Sequence, residues 1–105
     1  MVHNSTLVLI YVDKRRKIRF EIDVDCLSEI VKDLLDLENV FDIASHIGLI
    51  VQTLLEKIDE GYQPRRAIYS ALYVLLQDLG VRKYFDFAER VDKASRCVTY
   101  SELKD

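Results

Sequence analysis

From Ile18 to Asp25 the chain alternates strictly, with Ile18, Phe20, Ile22 and Val24 set against Arg19, Glu21, Asp23 and Asp25. A period of two is the signature of a strand with one face buried, because successive side chains leave a strand on opposite sides. This pattern constrains the chain more than any other. Just before it, Thr6–Val12 reads Thr-Leu-Val-Leu-Ile-Tyr-Val, β-branched and aromatic-rich. Only the polar stretch Asp13-Lys14-Arg15-Arg16 separates that run from Lys17. Strands so close in sequence pair as an antiparallel hairpin, over Thr6–Val12 and Lys17–Val24. The first run is apolar on both faces, so it is expected to be the more covered strand. A hairpin alone is marginal in water and has to lay its apolar face on something else.

The remainder supplies helices. Asp25 is the expected N-cap of a first helix over Cys26–Leu37, with Leu27, Ile30 and Val31 at helical spacing. Asn39 caps a second, Val40–Glu60, stopped by Gly61. Its apolar arc includes Val40, Ile43, Ala44, Ile47, Ile50, Val51, Leu54 and Ile58. Gly48 lies inside that arc, where a glycine costs about 1 kcal/mol against alanine. Close approach of another backbone would offset that cost. Leu49 stands alone on the polar side. Pro64 suits the first turn of a third helix reaching Leu79, with Gly80 past its end. This helix is apolar nearly all round, which fits a central helix or one shared with a second subunit. A fourth covers Arg82–Ala94, with Ala88 and Val91 facing inward, and Cys97–Tyr100 can add a third strand to the hairpin. The expected fold is one two-layer α+β domain over residues 1–105.

The formal charge of −3 conceals an uneven distribution. Residues 1–20 carry a balance of +4, residues 21–60 of −9 and residues 61–105 of +2. The basic part is Lys14, Arg15, Arg16, Lys17 and Arg19, crowded at the hairpin tip, which Arg65, Arg66, Arg82 and Lys83 can extend. A basic β-tip can grip phosphates or enter a nucleic-acid groove, although turns are commonly polar and edge strands often carry cations to block aggregation. In the acidic part, Glu21, Asp23 and Asp25 would share a strand face, followed by Glu29, Asp33 and Asp36 on a helix. That is the solvent face of an amphipathic strand and helix, and no metal site is assigned to it. A basic tip meeting the acidic face of a second copy would favour a dimer.

No pattern names a reaction. Asp42 and His46 lie one turn apart, as in an oriented imidazole, but no nucleophile is tied to them. Glu102-Leu-Lys104 has a spacing used to hold Mg²⁺ in some nucleases, at a chain end unsuited to a rigid site. Neither a Gly-rich phosphate loop nor a nucleophile elbow occurs. The expectation is a non-enzymatic protein-interaction module without cofactor or metal, working as a homodimer. Its interface would use Gly48, Leu49, Tyr69 and Tyr73, since tyrosines at the margin of an apolar helix suit binding hot spots. The alternative is a small regulatory protein that binds DNA or RNA through Lys14, Arg15, Arg16, Lys17, Arg19, Arg65 and Arg66.

Cys26 and Cys97 match no metal or redox spacing and read as separate buried thiols. Neither a signal peptide nor an apolar run of membrane-spanning length is visible, so a cytoplasmic location away from membranes is expected. Asn and Gln total only five among many charged residues, which is mildly consistent with a thermophilic source.

Overall fold

In the computed structural model, which describes residues 5–35, 38–78 and 84–103, the alternating segment becomes the middle strand of a sheet. The elements run β1 (Thr6–Val12), β2 (Lys17–Asp23), α1 (Val24–Leu35), α2 (Val40–Asp59), α3 (Pro64–Asp78), α4 (Tyr84–Ser95) and β3 (Val98–Leu103). β2 pairs antiparallel with β1 on one side and β3 on the other, giving the order β1-β2-β3. Over the described residues the architecture is α+β, with an N-terminal hairpin, four helices and a short C-terminal strand. The tail does add the third strand, and it extends three residues past Tyr100.

The inward face of β2 is sealed. Ile18, Phe20 and Ile22 are each fully buried, while Arg19 and Glu21 on the opposite face are exposed. Leu27 and Val31 of α1, Ile47, Ile50, Leu54 and Ile58 of α2, Ala67, Ile68, Ala71 and Leu72 of α3, Val91 and Ala94 of α4, Cys97 just before β3 and Val98 at its start complete the buried cluster among the described residues. Burying one such large apolar side chain is worth about 1.5–3 kcal/mol, so these three β2 residues are a leading contribution.

Several expectations require correction. β1 is not the more covered strand. It lies at the sheet edge, with Leu7 37%, Val8 43%, Ile10 55% and Val12 63% exposed. The first helix starts two residues early, and its cap is Asp23, whose Oδ1 accepts the Cys26 N–H at 3.1 Å. Asp25 instead accepts a hydrogen bond from the Ser5 hydroxyl at 2.6 Å. The α2 arc is buried only from Ile47 onward, since Val40 and Ala44 are exposed. Ala88, expected inside, is also exposed. Asp36 and the end at Leu37, the ends at Leu79 and Gly80, the start at Arg82 and Lys83, and Lys104 lie outside the described residues.

The helix ends follow the sequence closely elsewhere. Asn39 caps α2 by accepting the Phe41 N–H at 2.8 Å. At the other end Gly61 has a φ of 101°, which favours glycine. The Tyr62 N–H reaches Lys57 O and the Gly61 N–H reaches Ile58 O, each at 3.0 Å, a Schellman closure.

Cys26 and Cys97 form a disulfide, overturning the reading of separate thiols. They are 71 residues apart in sequence, but Asp23 at the end of β2 joins both neighbourhoods. Its backbone N–H bonds Cys97 O at 2.9 Å, and its side chain caps the turn carrying Cys26. In a chain-entropy account, closing a loop of this length stabilises the folded state by about 4 kcal/mol. Unfolding in urea with and without dithiothreitol should therefore differ by that amount, the reduced protein being the weaker. Equal midpoints would mean that the bond contributes nothing.

Candidate functional site

Two features of the hairpin stand out: the basic turn and the open edge of β1. The turn is organised by Asp13. Its Oδ1 accepts the backbone N–H groups of Arg15 at 2.8 Å and Arg16 at 2.7 Å, and the Asp13 N–H bonds Arg16 O at 3.0 Å. Those backbone donors, Arg15 first, hold the Asp13 carboxyl below the usual carboxylate range.

This turn separates the four consecutive cations. Arg16 folds back beneath the hairpin and donates to Tyr62 O at 2.9 Å and to Ile58 O. These carbonyls sit at the C-terminus of α2, where a cation also complements the helix dipole. Arg16 is thus a tie between hairpin and helix. Arg19 pairs with Glu21 at 2.9 Å on the outer sheet face. Lys14 and Arg15 remain exposed and Lys17 is half-buried. With Val12, Asp13, Arg16 and Leu103 they line a cleft of about 300 Å³.

The remaining cations are dispersed. Arg66 lies over the Tyr62 ring, 5.6 Å from its centroid, and Lys57 is 5.2 Å from the same ring. Arg65 lines a separate cleft of about 260 Å³ with Asp92, Ser95, Arg96 and Tyr100. The expected single basic surface is therefore divided.

The residues expected at a helix-based interface differ in role. Tyr69 is half-buried and its hydroxyl donates to Asp92 at 2.8 Å, joining α3 to α4. That bond and the nearby Arg96 and Arg65 hold the Asp92 carboxyl low. Tyr73 and Leu49 are exposed at 44% and 48%. Gly48 is exposed, and among the described residues nothing lies within 4 Å of where its Cβ would be, so the close backbone approach expected there is not found within the protomer's described residues.

The residues with catalytic spacing do not assemble as the sequence suggested. The His46 ring contacts the Asp42 backbone carbonyl through Nδ1 rather than the Asp42 carboxylate. Glu102 is in β3, opposite Ile18, and exposed. Among the described residues no group of three or more His, Cys, Asp or Glu is placed to hold a metal ion. Asp25 belongs to α1, so it does not continue the strand face of Glu21 and Asp23.

The open edge of β1 is the feature that sequence reasoning missed. Its backbone polarity follows from two bonds. Asp13 N–H to Arg16 O, and Val24 N–H to Ser5 O at 2.9 Å, place odd-numbered β1 residues in the hydrogen-bonded pairs with β2. The N–H and C=O groups of Thr6, Val8, Ile10 and Val12 therefore point away from the sheet. Those same residues carry their side chains on the outer face, opposite Asp23, Glu21, Arg19 and Lys17. The missed signal was the absence of any charge in Thr6–Val12, since exposed edges usually carry one.

No protein-family model, curated protein or solved structure matches this chain. Among the described residues no helix is long and apolar enough to cross a membrane.

The turn also contains a titratable contact. The Tyr11 hydroxyl lies 2.9 Å from Asp59 Oδ1 and 3.1 Å from Asp13 Oδ2. Desolvation first, then these two acceptors, push the phenol up to about 12 from its ordinary 10.0. A raised folded pKa means that its contribution is present below the unfolded value and lost as pH rises through the folded one. Stability should therefore fall between about pH 10 and about 12. Tyr11→Phe should flatten that part of the stability profile, measured by urea titration at each pH. An unchanged profile would remove Tyr11 as the cause.

Proposed function

We propose that this chain is a non-enzymatic protein-interaction module that works as a homodimer. The observation behind this reading is the run of exposed apolar side chains on an edge strand with no charge to guard it. Long apolar edges of this kind associate unless something covers them. Leu49, Tyr73 and the very exposed Val40 and Phe41 add apolar surface on the helices. Tyr69 is a weaker candidate than the sequence suggested, because its hydroxyl already serves the α3–α4 contact.

The disulfide bears on the proposed cytoplasmic location. Reducing cytosols keep thiols apart, with hyperthermophiles as the main exception. A cytoplasmic location thus goes together with the thermophilic source that the low Asn and Gln content suggests. Sedimentation equilibrium of the oxidised protein should give twice the monomer mass at micromolar concentration. A monomer mass up to near-millimolar concentration would contradict the homodimer.

A second reading has one observation in its favour: Lys14 and Arg15 border an open cleft with Lys17. In it the chain is a small regulatory protein that binds DNA or RNA phosphates through that turn. Arg16 and Arg19 contribute less than the sequence suggested, since each already has an intramolecular partner. The test is fluorescence anisotropy of labelled duplex DNA, single-stranded DNA and RNA at two salt concentrations. Binding that weakens steeply with salt, and is lost in the Lys14→Glu, Arg15→Glu double variant, supports this reading. No binding at low salt rejects it.

A further inference from the structure

Resting on the homodimer reading, we propose that the partner of β1 is the β1 strand of a second copy. The two strands pair antiparallel across a two-fold axis at Leu9, producing one continuous six-stranded sheet.

The backbone supports this register. In an antiparallel self-pairing centred on Leu9, Val8 faces Ile10 of the other copy and Thr6 faces Val12. The hydrogen-bonded pairs of the new interface are then the even-numbered residues, whose N–H and C=O groups point outward from β1. Leu9 meets its own copy as a non-hydrogen-bonded pair, and all of Thr6–Val12 is used. Shifting the partner by one residue would set outward-pointing groups against groups already bonded to β2.

Side chains agree with the backbone. On the outer face, Val8 and Ile10 would pack across the junction as β-branched pairs, a favourable cross-strand combination. On the helix side, Leu9 is only partly buried and Leu7 is 37% exposed, so a neighbouring strand would cover both. A two-fold contact brings each patch against its own copy, so an uncharged strand meets no like charge there. The opposite edge, β3, differs: it carries Glu102 and three polar residues, Thr99, Tyr100 and Ser101, among its six. That composition favours solvent, and it makes β1 rather than β3 the joining edge.

The test uses the register. Within the protomer Val8 lies opposite Glu21 and Ile10 opposite Arg19. Val8→Lys and Ile10→Glu each place an opposite charge beside these partners, so both variants suit the fold, checked by an unchanged far-ultraviolet circular dichroism spectrum. The expected result by sedimentation velocity is a dimeric wild type and two monomeric variants. Mixing the variants should restore a dimer, because the introduced lysine then faces the introduced glutamate across the two-fold. Dimers that survive in both single variants would overturn the β1 pairing and leave the homodimer to another surface. Variants that stay monomeric when mixed would overturn the register. A monomeric wild type would overturn both this proposal and the homodimer reading.

Discussion

The structure depends on the burial of one face of β2. Ile18, Phe20 and Ile22 have no solvent exposure, and strands on both sides use the backbone of β2 for pairing. β1 and β3 are held through it, and the helices are arranged over the face it presents. Truncating Phe20 would remove contacts to sheet and helices together, a loss typically of about 3–5 kcal/mol. Because β2 occupies the centre, β1 and β3 are necessarily the edges. The open edge that motivates the functional reading follows from where the strongest alternating pattern in the chain came to rest.

The connections around β2 are short polar ties. Asp13 orders the turn at one end and sends Arg16 to the C-terminus of α2. Asp23 at the other end caps α1 and donates its backbone N–H to the carbonyl of Cys97, the residue just before β3, which brings Cys26 and Cys97 together. Each aspartate fixes the boundary between a strand and the next element of the chain. Neither acts by charge alone; each accepts backbone N–H groups that would otherwise lack a partner.

Much of this was legible in the sequence. The alternation at Ile18–Ile22, the caps at Asn39 and Gly61 and the start at Pro64 each have a local cause, and each stands where the residues placed it. The rest depended on information that is not local. A run apolar on both faces, such as Thr6–Val12, looks the same whether it is buried in the protomer or left open for a partner. Four consecutive cations look alike until the turn directs Arg16 inward and leaves Lys14 and Arg15 outside. The cysteines lacked any spacing signal because β3 had first to be paired with β2. At Asp25, an aspartate two residues earlier was equally able to cap, and the strand ended there instead.

The central claim is that β2 is the covered strand and β1 the open edge of the protomer. Amide hydrogen exchange, followed residue by residue at a concentration where the protein is monomeric, tests it most directly. The amides of Leu7, Leu9 and Tyr11 and those throughout β2 should exchange slowly, while those of Val8, Ile10 and Val12 exchange at nearly the rate of an unprotected chain. Uniformly slow exchange along β1 in the monomer would mean that its outer edge is already covered, contradicting the account.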